Sequence, residues 1–313
     1  MRAATIRDGE LLVEEHPDPE PGAGQVLVRV RGAGVNGADM LQRKGRYPAP
    51  AGSPADIPGL ELAGEVAALG PGASRFAEGD AVMGIVGGGG QAELAVVHER
   101  QLMPLPDAVG LPDAGGLPEV FTTAHDALFG QAGLRPGERL LVHGAAGGVG
   151  TAAVQLGRAT GAHVTATVRR PDARDAVAGL GADAVLEPEG FGDHGPFDVV
   201  LELVGAPNLA EDVKSLSIGG RVVVIGIGAG ARAELNLAAL MAKRGRIMAS
   251  TLRARPLEQK AATARALERE VLPLFERGAL RVPVAETFAL DDVAGAYDRF
   301  AAGGKLGKII VVP

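Results

Sequence analysis

The sequence predicts an α/β protein in which a small β domain precedes a doubly wound parallel sheet. Three observations predict it. In the first third, short β-type runs such as Val26-Leu27-Val28-Arg29-Val30 alternate with turns such as Pro21-Gly22 and Pro71-Gly72, a texture of short strands joined by long loops. From about Glu119 onward, apolar strands alternate with helical patterns, which describes parallel β-α-β units. A glycine-rich turn, Ala145-Ala146-Gly147-Gly148-Val149-Gly150, falls directly after one of those strands and opens a helix.

The elements follow in order. The run Gly87-Gly88-Gly89-Gly90 cannot form a stable strand interior, and is expected as a flexible loop or a tight turn into a strand over 91–97. Residues 139–143 read as a buried strand. Residues 151–160 read as a helix stopped by Gly161. Residues 163–168 form the next strand, followed by a helix through Ala176 and Leu180 and by strands at 184–186, 198–201, 221–225 and 246–249. Beyond Pro256, Ala264, Leu267, Val271 and Leu274 lie at helical spacing, with Pro273 breaking that helix or starting a new turn. Residues 307–312 make a last strand that returns to the first domain if that domain is discontinuous. The expected division is 1–118 with 257–313, and 119–256.

Bulk properties narrow the function classes. A chain of 313 residues favours two cores over one. The net charge is −7, without a long Lys/Arg cluster, whereas a nucleic-acid groove needs a concentrated positive face. Aromatic residues make up 3%, too few for base-stacking platforms. There is no cysteine, so no disulfide, thiolate nucleophile or Cys-ligated zinc is possible. The chain shows no apolar signal-peptide core at its start and no run of about 18 apolar residues. A cytoplasmic protein without nucleic-acid or membrane partners is expected.

The glycine turn carries the chemistry. Gly147 is expected to let the backbone turn sharply, and Gly150 to let the helix pack close to the sheet. The helix N-terminus then offers N–H groups and partial positive charge to a pyrophosphate. Ala145 stands where G-x-G-x-x-G has its first glycine, but a strand before, a helix after and a second strand about 20 residues on supply the context. Ala146, Gly147, Gly148, Val149 and Gly150 are the expected contacts. The second strand ends in Thr167-Val168-Arg169-Arg170, with no acid before Asp172. An acid there would accept from a ribose 2′-OH, whereas guanidinium groups suit a 2′-phosphate. NADP(H) is therefore expected over NAD(H), with Arg170 or Arg169 as the clamp; two solvated surface arginines are the alternative.

Several motifs converge on one family. They are Gly32-Ala33-Gly34-Val35-Asn36-Gly37-Ala38-Asp39, Arg43-Lys44-Gly45-Arg46-Tyr47-Pro48, Pro58-Gly59-Leu60-Glu61-Leu62-Ala63-Gly64, Gly79-Asp80-Ala81-Val82, Thr123-Ala124, and the strand and turn from Val142 to Gly150. Together they resemble the zinc-free medium-chain dehydrogenase/reductases of the quinone oxidoreductase (zeta-crystallin-like) subfamily. Gly89-Gly90-Gln91-Ala92-Glu93, Lys243-Arg244-Gly245 and Leu252-Arg253-Ala254-Arg255 resemble its tumour-suppressor-induced branch. The resemblance implies a GroES-like β domain built from both chain ends, a central Rossmann domain, and a homodimer formed by edge strands of the cofactor domains. Zinc relatives carry His where this chain has Leu60, and their cysteine ligands have no counterpart here. Without a metal to polarise a carbonyl, hydrogen bonds must do that work, which points to quinones and enones.

The resemblance also implies site residues. Asn36 and Asp39 match polar residues at the nicotinamide end, although either is also placed to cap a helix starting near Ala38, and Asp39 and Arg43 would pair at i, i+4. Tyr47 is expected to face the substrate and to hydrogen-bond or protonate an acceptor oxygen, or else to pack beside Pro48. Thr123 is expected near the nicotinamide, with helix capping by Thr122 or Thr123 as the alternative. Gly226 and Gly228 follow a strand where backbone passes close to the cofactor. Ser250, Thr251 and Leu252 are expected to bind the carboxamide through backbone groups. Lys308 is expected either to reach the cofactor or to be a solvated lysine. Ala173 and Pro188 depart from the Lys and Tyr that relatives place around the 2′-phosphate, leaving more of that task to Arg169 and Arg170. The expected activity is an NADPH-dependent quinone or enone reductase. A 2-enoyl thioester reductase and a weakly catalytic NADPH-binding sensor or structural protein are the alternatives.

Overall fold

The computed structural model describes residues 1–313. Its strands are β1 (Arg2–Arg7), β2 (Glu10–Glu15), β3 (Gln25–Val35), β4 (Glu61–Leu69), β5 (Ala81–Ile85), β6 (Leu94–His98), β7 (Leu102–Pro104), β8 (Arg139–Val142), β9 (His163–Thr167), β10 (Ala184–Leu186), β11 (Phe197–Glu202), β12 (Leu216–Val224), β13 (Arg246–Ala249), β14 (Val284–Ala289) and β15 (Lys308–Val312). Its α-helices are α1 (Gly37–Arg43), α2 (Pro118–His125), α3 (Gly148–Thr160), α4 (Arg174–Ala178), α5 (Leu209–Lys214), α6 (Leu237–Lys243), α7 (Leu257–Glu270), α8 (Leu272–Glu276) and α9 (Val293–Ala302). None is long and apolar enough to cross a membrane.

The chain divides into two units. The first comprises Met1–Thr122, Leu252–Gly303 and Lys308–Pro313; the second comprises Thr123–Thr251 and Gly304–Gly307.

In the first unit β3 is the organising strand. Val26, Val28 and Val30 are buried while Arg29 and Arg31 are exposed, the period of two expected of a strand with one wet face. The seven-stranded sheet runs β14-β15-β3-β4-β5-β7, with β6 also on β3. β15 lies antiparallel on β3, pairing Ile309 with Val35, so the C-terminal strand does return to the first unit. The apolar faces of β3, β4, β5 and β6 enclose one core, and α9, through Tyr297 and Val293, with Leu290 of the turn before it, seals β15 in a second.

The tetraglycine run is not a flexible loop. Gly87, Gly88, Gly89 and Gly90 are all buried. Gly89 N–H donates to Ile57 O at 2.8 Å and Gly90 N–H to Gly59 O at 3.1 Å. A Cβ at Gly90 would stand 2.7 Å from Glu61 O, and one at Gly87 2.1 Å from Ser53 Oγ. The glycines serve close backbone packing, which only the folded neighbours reveal. The following strand runs from Leu94, later than expected, although Ala92 already bridges Ala3 of β1.

The second unit is a six-stranded sheet in the order β10-β9-β8-β11-β12-β13, parallel throughout. The run from β8 goes outward to β9 and β10, then back across to β11, β12 and β13. This is the doubly wound order whose ligand crevice opens at the carboxyl ends of the strands where the order reverses. Gly161 ends α3 in the left-handed region at φ 83°, as its place after the helical pattern predicts. Pro273 sits in the first turn of α8, directly after α7 ends.

Candidate active site

The glycine turn leaves the carboxyl end of β8 and enters α3, a helix of 13 residues with Gly147 as its N-cap. No side chain caps this N-terminus, and no acidic residue lies in its first turn, so its partial positive charge is uncompensated. The sharp turn is made by Gly144, at φ 61°, and not by Gly147, whose φ of −74° suits any residue. A Cβ at Gly147 would meet only Gly144 O at 3.4 Å. Gly150 serves the turn and not the sheet: a Cβ there would stand 2.6 Å from Ala145 Cα and from Gly144 O, whereas it is Gly157 whose Cβ would meet the sheet, at Leu140 and Val164. The segment 304–307 also joins the turn, with Gly307 N–H donating to Ala146 O at 2.9 Å. A Gly-x-x-Gly pattern is the signal in the sequence for that strap.

Beneath the turn, His143 Nε2 lies 2.9 Å from Asp212 Oδ1, and its Nδ1 lies 2.9 Å from Thr167 Oγ1. Phe191 packs edge-on to the imidazole, with ring centroids 4.5 Å apart. Glu202 accepts from the N–H groups of Val204 and Gly205 and from Asn208 Nδ2. His143 is thus a packed histidine with both ring nitrogens bonded. Desolvation pushes Asp212 up to about 6, against the opposing pull of His143.

After β9 the two arginines diverge. Both are exposed, but Arg170 is engaged by both oxygens of Asp172 and leans on Gly304, where a Cβ would meet its Nη1. Arg169 makes no bond within the chain and keeps its whole donor fork. Gly226 has a reason internal to the fold, since a Cβ there would meet Leu203 O at 2.0 Å; Gly228 has open space around it. Ser250 Oγ donates to Asp126 Oδ2 at 2.7 Å. Thr122 and Thr123 lie in the middle of α2, so neither caps a helix. That helix continues into a π turn over Asp126–Gln131, in which Ala132 N–H reaches Ala127 O. Such turns interrupt helices most often at functional positions.

In the first unit four residues form one buried network. Asn36 is the N-cap of α1, and Asp39 reaches back to accept its N–H at 2.8 Å. The other Asp39 oxygen accepts from Gly59 N–H at 3.1 Å. Desolvation pushes this fully buried carboxyl up to about 7, against the lowering effect of those two N–H donors. Asn36 Nδ2 donates to Gly34 O and to Glu61 Oε1, and its Oδ1 accepts from Lys308 Nζ at 2.6 Å. Lys308 also reaches Val35 O at 3.0 Å and pairs with Glu61 Oε1 at 2.6 Å. A solvated lysine is therefore excluded: the side chain is 3% exposed. Glu61 is the member the sequence reasoning missed. Arg43 does not pair with Asp39 either; its Nε donates to Gly9 O at 2.7 Å.

Tyr47 is delivered by the end of α1. Gly45 N–H bonds to Gln42 O and Arg46 N–H to Leu41 O, with Gly45 at φ 67°. That is the paired bonding of a glycine-terminated helix, and the chain then leaves at a fixed angle. The Tyr47 ring is half-buried, and its hydroxyl bonds to nothing in the chain. Desolvation, then Glu119, raises its pKa, while Arg253 lowers it. Leu252, beside Arg253, is buried in the same unit.

Comparison with known proteins places these features. A model of the alcohol dehydrogenase GroES-like domain matches residues 22–107, and one of the zinc-binding dehydrogenase family matches residues 148–268. The quinone oxidoreductase of Rattus norvegicus is 33% identical over 306 residues, spanning 94% of this chain and 91% of that protein. The chain belongs to the quinone oxidoreductase family of medium-chain dehydrogenase/reductases. It is an oxidoreductase fold with GroES-like and Rossmann domains, and homologues in this superfamily use nicotinamide cofactors. The spectinabilin polyketide synthase system protein of Streptomyces orinoci matches at 36% identity, spanning 94% of this chain but 14% of that protein. Among solved structures, an alcohol dehydrogenase superfamily protein from Novosphingobium aromaticivorans aligns at TM-score 0.89 and 31% identity, covering 100% of this chain and 99% of its own.

The zinc in one matching family's description does not fit the residues present. The chain has no cysteine, Leu60 is a buried apolar residue, and the adjacent Glu61 is taken by Lys308. His143, Glu202 and Asp212 hold ligand-type atoms within 4.8 Å of one another, but these atoms are already bonded to each other and to backbone N–H groups.

Proposed function

We propose that the protein is an NADPH-dependent reductase that transfers hydride to quinones or other conjugated carbonyls without a metal. One observation supports the cofactor side most directly: the uncapped N-terminus of α3 stands at the strand-order reversal, where a pyrophosphate gains most from free N–H groups. Ala146, Gly147, Gly148, Val149 and Gly150 would cradle it. Arg169, the unpaired guanidinium after β9, is the better candidate for a 2′-phosphate, with Arg170 available only in competition with Asp172. Gly226, Thr123 and the backbone of Ser250 would line the nicotinamide end; Leu252 and Lys308 lie in the first unit, where Lys308 holds Asn36.

When bound, the dinucleotide supplies the hydride. The acceptor oxygen gains negative charge as the hydride arrives. Tyr47 is the group suited to meet it, because its phenol has no partner in the chain and can donate or release a proton. Asn36 and Asp39 hold the start of α1, and through it the loop that carries Tyr47. A conjugated carbonyl needs no Lewis acid to accept hydride at a useful rate, which agrees with Leu60 and with the missing cysteines.

A homodimer belongs to the same reading. β13 is an edge strand, and Leu237 and Met241 of the helix before it are 64% and 76% exposed. An uncovered edge flanked by exposed apolar residues favours pairing with a second copy. A cytoplasmic location is also part of it, since a cysteine-free chain needs no oxidising compartment.

A second reading is favoured by the polyketide synthase match: reduction of a 2-enoyl thioester. Turnover of NADPH and NADH against a panel of quinones, simple enones and enoyl thioesters separates the readings. Oxidation of NADPH by quinones or enones is expected. Preference for the thioester would favour the second reading. Tight NADPH binding with no oxidation on any acceptor would replace both with a binding or sensing role.

A further inference from the structure

Arg253 is 3% exposed, yet none of its hydrogen-bond partners is a carboxylate. Nε donates to Gly87 O at 2.8 Å, Nη1 to Tyr47 O at 2.9 Å and Nη2 to Gln42 Oε1 at 2.6 Å. Its guanidinium carbon lies 5.1 Å from the centroid of the Tyr47 ring, within the range of a cation–π contact. One side chain therefore joins the end of α1, the tyrosine loop and the tetraglycine run. Burying a cation without a hydrogen-bonded carboxylate is unfavourable, and desolvation pulls this guanidinium below its ordinary pKa, against the raising effect of Asp39, Tyr47 and Glu119. An apolar residue or a neutral amide would fill the same space without that penalty.

We propose that Arg253 is a positioning residue for Tyr47, clamping its loop and lying under its ring so that the phenol meets a substrate oxygen that is gaining negative charge. The proposal rests on the reading of Tyr47 as the acceptor-oxygen residue. The three bonds leave Arg253 in three directions from one rigid plane, which fixes the carbonyl of Tyr47 and so the root of its side chain. The positive charge beneath the ring polarises the phenol O–H toward its outer end and favours an anionic oxygen beyond it. A lysine keeps the charge but offers one point of attachment in place of a planar fork.

The chain has 2 tyrosines and no tryptophan, and Tyr297 is buried with its hydroxyl on Gln91 Oε1. Near-ultraviolet circular dichroism, with Tyr47→Phe as the subtraction, therefore isolates the Tyr47 band. Arg253→Lys and Arg253→Gln should each remove most of that band while the far-ultraviolet spectrum stays unchanged. Arg253→Gln should lower kcat on the order of 10- to 100-fold, with KM for the dinucleotide within about twofold. Added to Tyr47→Phe, it should lower kcat by no more than about threefold further. An unchanged Tyr47 band, or the same loss of kcat with and without Tyr47→Phe, would overturn the proposal. If Arg253→Gln does not fold, Arg253→Lys decides on the same two readouts. If no acceptor is turned over, the functional reading fails, and the Tyr47 band still tests the clamp.

Discussion

Lys308 and Glu61 form a buried ion pair, Nζ to Oε1 2.6 Å, with the two side chains 3% and 0% exposed. It ties the C-terminal strand to the start of β4, and Asn36 bonds to both partners. Removing one partner leaves the other charge buried and unpaired, which typically costs about 3–5 kcal/mol. Lys308→Met should therefore destabilise the protein by about that amount in urea unfolding, and Lys308→Met with Glu61→Gln by clearly less. A loss below about 1 kcal/mol for Lys308→Met would mean the pair carries little of the unit's stability.

The two glycines of the cofactor turn should respond differently to alanine. Gly150→Ala forces a Cβ to within 2.6 Å of backbone atoms and should cost about 1–3 kcal/mol of stability. Gly147→Ala has room and an ordinary φ, so stability should stay within about 0.5 kcal/mol of the parent. Its methyl would point at the proposed pyrophosphate, so KM for the dinucleotide should rise at least about tenfold. An unchanged KM would place the pyrophosphate elsewhere.

Arg169 and Arg170 are neighbours with different commitments. Arg169→Ala should raise KM for NADPH on the order of 10- to 100-fold and leave KM for NADH unchanged, as expected when a charge-assisted bond to phosphate is lost. Arg170→Ala should change either value by less than about threefold, because Asp172 already holds that guanidinium. Equal KM values for the two cofactors in the parent protein would defeat the NADPH preference.

Asp39 makes stability depend on pH. Burial raises its carboxyl from 3.8 to about 7. Between those values the folded state keeps a proton that the unfolded state has released, so stability falls as pH rises through that window and levels off above it. Asp39→Asn removes this titration and one of the two N–H acceptors. Urea unfolding across the window should show a steeper decline for the parent than for the variant. Parallel profiles would assign the pH dependence to other groups, of which Asp212 is the nearest in character.

Much of the fold was legible because local periods report burial. The alternation Val26, Val28, Val30 marked β3 as a half-wet strand, and uninterrupted apolar runs marked the parallel strands; residues 184–186 and 246–249 fall where β10 and β13 are observed. The glycine turn was legible because its signal is contiguous: strand, glycines and helix are adjacent in the chain. The remainder is of another kind. A flexible loop and a tight turn could not be told apart for the tetraglycine run because its partners, Ile57, Gly59 and Glu61, lie well upstream. Helix capping stayed open as the alternative for Thr123 because nothing local shows that α2 begins at Pro118. Gly147 was credited with the turn that Gly144 makes, because only φ distinguishes them.

The sequence by itself determined the two domains, the order of their elements, the glycine turn and the lack of cysteine ligands. Each depends on residue type and spacing within one stretch of chain. Only the tertiary structure decided which side chains are committed and which are free. Arg253 meets Gln42 across 211 residues of chain, and Lys308 meets Asn36 across 272. A lysine or arginine in isolation reads as solvated, because the energy that keeps it buried comes from acceptors brought together only by folding. For the same reason Arg169 and Arg170 cannot be told apart in the sequence, and become distinct once Asp172 is seen to hold one of them.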